Sequence, residues 1–369
     1  NMINGLSRPR KQFLDVLRVL ATCAVVLMHV LTGATDVTDA SKMPEYRGLL
    51  LAVMDLVTWC VPVFLLISGY LFLDPERELT YPVMIKKYCR RIALAILLFG
   101  VPYACSELMV AERSFRMGML PEALRLTLTG HTWSHMWYLY LIFFLYLMTP
   151  LLKKALQVLP QWCIWGVLLL LFVGSSMMPF MNKVLNSSVL PVLPDGGIHV
   201  LYYICGYFFA QWEKTVDKKE KMQKIFGTMA TVLMLGMAGS RLLADFQIQM
   251  AYNYPFTVLL ALLLFAAGWS GSPEKRSGEE VQKHRTLWQA AGTLSFAVYL
   301  VHPVYVNLLY KFMKITPFTL LEQSGVQSVA AGQVWLLFLL LAFCLLVLAL
   351  SMATAWLLRK IPVLKKYVL

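Results

Sequence analysis

Ten apolar runs decide what this chain can fold into. They lie at about 13–34, 49–73, 91–110, 135–152, 162–179, 197–212, 225–240, 252–269, 288–310 and 333–358. A run of about twenty mostly apolar residues is long enough to cross the hydrocarbon of a bilayer as a helix. In that solvent every backbone N–H and C=O must be satisfied internally, which leaves helices or closed barrels. The runs are too long for barrel strands, so the expected fold is all-α, a polytopic membrane bundle of about ten transmembrane helices. The seventh run is the weakest, being short and glycine-rich. The first follows basic residues as a signal peptide would, but it is too long and no small-x-small cleavage site follows it. Composition agrees: 59% of the chain is hydrophobic and 14% charged, against roughly half and a quarter in soluble domains.

The net charge of +13 invites a nucleic-acid reading, and the placement of the charges argues against it. With ten spans and the N-terminus inside, 23 of the 33 lysines and arginines fall in cytoplasmic segments and nine in outer loops, while Arg18 lies within the first span. The inner set includes Arg8, Arg10 and Lys11; Lys86, Lys87, Arg90 and Arg91; Lys214 and Lys218; and Arg359, Lys360, Lys365 and Lys366. That skew is the positive-inside rule, with both termini expected in the cytoplasm, and no nucleic-acid partner is needed to explain it. The chain reads as one membrane domain over 1–369 with short tails. An amphipathic helix is expected in the outer loop at MLPEALRLTL, and a polar connector at 270–287. There is no convincing internal repeat of the kind transporters carry. The seven cysteines are scattered singly, with no CxxC pair and no zinc-site spacing, so no metal is expected.

The first span, FLDVLRVLATCAVVLMHV, carries Asp15, Arg18 and His29. At 100° per residue the eleven steps from Arg18 to His29 return to within ~20° of the same face, ~16 Å further along the axis. Asp15 precedes Arg18 by three residues and can pair with it. Such groups cost about 2.5–3.5 kcal/mol each at a helix centre in hydrocarbon, so the stripe must face the bundle interior or a wet cavity. Asp15–Arg18 reads either as a helix-fixing ion pair or as part of a site. His29 is the natural proton acceptor near neutral pH.

With these residues in hand, the chain resembles the acyltransferase-3 family of integral membrane acyltransferases. Arg18 and His29, ten residues between them, match its first-helix motif. VPVFLLISGYLF, with Ser68 and Gly69, looks like its second-helix motif, and KKYCRRIALA resembles its arginine-rich third-helix start. HMWYLYLIFFLYLMTPLL, YYICGYFFA and SFAVYLVHPVY are similar in character, so the likeness spans nearly the whole chain. Some relatives carry a further esterase-like domain; this chain looks like a stand-alone member. The resemblance implies a membrane O-acyltransferase of the bacterial cytoplasmic membrane. Its donor is an acyl-CoA, usually acetyl-CoA, used as substrate with no permanently bound cofactor. Its acceptor is a hydroxyl of an extracytoplasmic glycan or lipid-linked sugar. The sequence leaves the oligomeric state open.

Roles follow for particular residues. Arg90, Arg91, Lys87, Arg18 and Ser68 are expected to bind the coenzyme, arginine suiting phosphate through its planar fork. His29 is the expected general base, with a transient acyl-histidine as the second mechanism. His302 sits at a similar depth and is a candidate to polarise the thioester or an oxyanion; preceding Pro303, which kinks the helix, it reads equally as structural. Trp133, His135, Trp137 and Tyr138 form an outer aromatic patch suited to a sugar or to the membrane interface. Asp55 and Glu107, near outer helix ends with Asp195 and His199, are candidates to bond acceptor hydroxyls. The competing expectation is a small-solute or amino-acid transporter using Asp15, Arg18 and His29 as a polar pathway.

Overall fold

The structure is a computed structural model describing residues 11–38, 43–114, 116–194, 196–213, 215, 219–244, 246, 248–270 and 279–369, with side chains from 286 onward in the last stretch. Arg8, Arg10, Lys42, Lys214, Lys218, Asp195 and residues 271–278 of the connector lie outside the described residues.

Every regular element among the described residues is helical. The principal ones are α1 (Gln12–Val37), α2 (Arg47–Val57), α3 (Cys60–Phe72), α4 (Arg90–Glu112), α5 (Met119–Leu128) and α6 (Trp137–Val158). They continue as α7 (Gln161–Phe172), α8 (Gly196–Trp212), α9 (Lys219–Leu242), α10 (Pro255–Ser270), α11 (Glu279–Asn307) and α12 (Val329–Leu358). Among the described residues, eight helical stretches are long and apolar enough to cross a membrane. Two shorter helices, α8 with 17 residues and α10 with 16, occupy the remaining two expected runs. The chain is therefore a multi-pass membrane protein. The amphipathic segment expected at 119–128 forms α5 with those bounds.

The second run does not form one helix. Pro62 has no N–H for the carbonyl of Thr58, and its ring crowds that turn, so α2 ends at Val57 and α3 begins at Cys60. Thr58 Oγ1 bonds back to the Met54 carbonyl at 2.7 Å and Trp59 Nε1 donates to Leu56 at 2.7 Å, which closes the break without leaving the side chains unpaired.

α1 is the central helix: α2, α3, α10, α11 and α12 all pack against it. This enclosure is what allows an apolar span to carry Asp15, Arg18 and His29. Asp15 is 2% exposed and pairs with Arg18 at 3.1 Å. α11 comes close enough to meet it because residue 292 is glycine, where an added Cβ would lie 2.9 Å from Asp15 Oδ1. A tighter approach joins α3 to α8. A Cβ on Gly69 would lie 1.8 Å from the Tyr203 carbonyl oxygen, and one on Gly206 would lie 2.4 Å from the Leu66 carbonyl and the Tyr70 amide. Small residues that let backbones meet are the usual adhesive of membrane helices, where lipid removes the hydrophobic drive to associate. Gly69 of the SGY sequence thus acts in packing, and it seats its neighbour Ser68 on the interior.

The end of the bundle opposite the basic segments is latched by a second buried charge pair. Arg241 of α9 donates through Nε to Asp55 Oδ2 of α2 at 2.6 Å, with both side chains at 0% exposure. The same guanidinium also serves the carbonyls of Phe246 and Ile248, and the Met250 amide donates to Asp55 Oδ1 at 3.3 Å.

Candidate active site

The stripe on α1 opens onto two cavities that enter the bundle from opposite ends. The first, of about 430 Å³, lies towards the lysine- and arginine-rich end. Arg18 and His29 of α1, Ser68 of α3, Arg91 of α4, Tyr138 and Tyr146 of α6, and Tyr299 of α11 line it. Its size falls within the range of small-molecule sites, about 300–1,000 Å³. The second, of about 340 Å³, opens at the far end between Asp36, Glu107, His131, Trp133, Asn307 and Lys311. Among the described residues, the two cavities share only His29 and His135 in their lining.

A third imidazole, that of His302, packs against this waist and itself lines neither cavity. His29 and His302 have ring centroids 5.0 Å apart, His135 and His302 5.8 Å, and His29 and His135 6.3 Å. His302 of α11 has no exposed surface, and its Nδ1 lies 3.1 Å from the carbonyl of Val298. His135 is 3% exposed and sits on the turn of helix that leads into α6. Tyr299 Oη holds that turn inward by donating to the His135 carbonyl at 2.5 Å. Tyr103 of α4 stacks on Trp133 at 4.1 Å and donates to the Leu300 carbonyl at 2.5 Å, tying α4 and the loop to α11. The Nε2 atoms of His135 and His302 and the Trp133 Nε1 are buried without a hydrogen-bond partner among the described residues. Buried polar atoms are seldom left so, and each calls for a partner such as water or a ligand. Among the described residues no group of three or more His, Cys, Asp or Glu is disposed to hold a metal ion.

The residues expected from sequence fall into distinct groups. Arg18, His29, Ser68 and Arg91 come together on the basic-end cavity, with Asp15 behind Arg18. Trp137 and Tyr138, expected on the outer patch, line this same cavity, because α6 turns them inward. Trp133, His135 and Glu107 line the far cavity, Glu107 lying 4.0 Å from Lys311. Asp55 lines neither, its carboxylate being spent on Arg241 and Met250. Lys87 and Arg90 also lie outside the lining, over the rings of Tyr88 and Tyr367 respectively.

Arg91 has a use that its sequence position does not announce. Its Nε and Nη2 donate to the carbonyls of Val368 and Leu369 at 2.7 and 2.6 Å, and Leu369 itself lines the basic-end cavity. His135 is the residue whose place at the waist sequence reading misses. The available signal is its position at the very start of an apolar run, where a short helical turn can sink with the span it leads into.

Over residues 11–365, nearly the whole chain, the sequence matches the model of the family described as an acyltransferase domain. No curated protein and no solved structure matches it.

Proposed function

Since the chain belongs to the acyltransferase-domain family, we propose that this multi-pass membrane acyltransferase moves acetyl from cytoplasmic acetyl-CoA to a hydroxyl of an extracytoplasmic glycan or lipid-linked sugar. The observation that carries this reading is the pair of opposed cavities meeting at His29 and His135. A donor too charged to cross hydrocarbon stays on the basic side, and only its acyl end has to reach the waist.

On this reading the basic-end cavity takes the coenzyme's arm, with Arg18 and Arg91 meeting its phosphates or their approach and Ser68 along the path. Asp15 holds Arg18 from behind, fixing its guanidinium. The acceptor enters from the far side past Trp133 and Glu107 and brings its hydroxyl to the waist. His29 takes the hydroxyl proton as the oxygen attacks the thioester carbonyl. The C–O bond forms, the C–S bond breaks, and the departing thiolate recovers the proton from His29. Direct transfer needs one base between the two cavities, and His29 lines both.

The test is acetyl-CoA turnover, read as free thiol, in membrane vesicles of expressing cells, which hold the cell's own acceptors. His29→Ala is expected to lower it by about 10²–10⁴-fold, the usual worth of a positioned base, with folding unchanged. Parental turnover in that variant overturns the reading, as does solute uptake by proteoliposomes in the absence of any acyl donor.

A further inference from the structure

Resting on that reading, we propose that His302 acts as an acceptor that positions His29, and not as the polarising donor that its depth in the membrane suggests. The hydrogen-bond inventory of a neutral imidazole decides the matter. Such a ring carries one N–H and one lone pair. The carbonyl of Val298 can only accept, so the His302 Nδ1 beside it, at 3.1 Å, carries the hydrogen. The lone pair is then on Nε2, and a nitrogen with a lone pair cannot donate to a thioester or an oxyanion.

That Nε2 is buried and has no partner among the described residues. The imidazole closest to the His302 ring is that of His29, with centroids 5.0 Å apart against 5.8 Å for His135. Such a separation lets nitrogens that face one another come within hydrogen-bond reach, about 2.6–3.2 Å. Contacts of this type commonly close only when substrate is bound. When His29 donates its single N–H to His302 Nε2, its other nitrogen is left with the lone pair, turned to the waist. His302 thereby selects the tautomer in which His29 is a base, and it steadies the imidazolium formed when the acceptor proton arrives. It takes no net proton itself. Pro303, with no N–H of its own, leaves the carbonyl of Tyr299, four residues earlier, without a helical donor, and that carbonyl, like Val298's, can only accept from His302.

The experiment compares His302→Gln, whose side-chain oxygen still accepts a hydrogen bond, with His302→Ala and with His302→Phe, which keeps a ring without nitrogens. Acetyl-CoA turnover in membrane vesicles, acetyl-CoA affinity and thermal stability in detergent are measured for each. Loss of the acceptor is expected to lower the turnover number about 10–100-fold, as for other residues that orient a reacting group, with acetyl-CoA affinity unchanged. Gln is expected to recover most of it. Where Ala does not fold, Phe takes its place. Turnover within twofold of the parent in Ala or Phe overturns the proposal, as does a Gln variant no better than Ala at parental stability. His29→Ala separates the two ideas: if it abolishes transfer while the His302 variants do not, this inference alone falls.

Discussion

The Asp55–Arg241 pair is the place where sequence and structure assign different work to one residue, and breaking it tells them apart. Both side chains are fully buried and joined at 2.6 Å. Asp55→Asn keeps the size of the side chain and an oxygen for the Met250 amide, but strands the Arg241 charge away from water. Removing one partner of a buried pair costs about 3–5 kcal/mol, because the other charge is left uncompensated. Arg241→Met strands the carboxylate instead and also releases the carbonyls of Phe246 and Ile248, each unmet group adding about 1–3 kcal/mol. Against the roughly 5–15 kcal/mol that holds a typical native domain, either change is severe. Asp55→Asn combined with Arg241→Met removes both charges, and is expected to cost well below the sum of the single changes. Reversible unfolding in mixed detergent gives the free energies for the four-member cycle. Acetyl-CoA turnover, measured well below the unfolding transition, is expected to survive in every member, since neither residue lines a cavity. Parental stability in Asp55→Asn with lost turnover refutes the structural reading and returns Asp55 to the acceptor site.

Gly206→Ala places a methyl group against backbone of α3 at 2.4 Å. The usual gain of about 0.5–1 kcal/mol for such a change in a helix is expected to reverse into a clear loss of thermal stability. A stable variant would mean that α3 and α8 separate without consequence. Arg91→Ala is expected to weaken acetyl-CoA binding in a fluorescence or calorimetric titration, whereas Lys87→Ala, outside the cavity, leaves it within twofold. Equal losses in the two would show that the basic segment acts only as diffuse charge.

What the sequence made legible follows from helical geometry. Arg18 and His29 share a face by period alone, and no tertiary knowledge is needed to place them on one path. The same period and length placed the ten apolar runs. His135 was legible as part of a polar-aromatic stretch and illegible as part of the waist. Its place depends on the Tyr299 hydroxyl drawing its backbone inward from 164 residues away. The partner of Asp55 was illegible for a like reason: it is 186 residues distant and reads from sequence as one more outer-loop charge. Lys87, Arg90 and Arg91 look alike in a basic cluster, and only the rotation of the helix start turns Arg91 to the cavity. Pattern fixes what a helix must bury; which far residue meets it there is decided by packing.

Among the described residues, two rings, those of His29 and His135, are the only lining that the opposed cavities hold in common. A membrane that stores energy as an ion gradient cannot tolerate a wet passage through each of its enzymes. Division of the interior at so thin a partition lets each compartment's solution rise to the reacting atoms while the partition stays shut. On the reading proposed here, what crosses is a two-carbon group changing its covalent partner, so no hole the size of a solute ever opens. The imidazole that does the chemistry, with the one beside it, then also serves as the bilayer's insulation at this point.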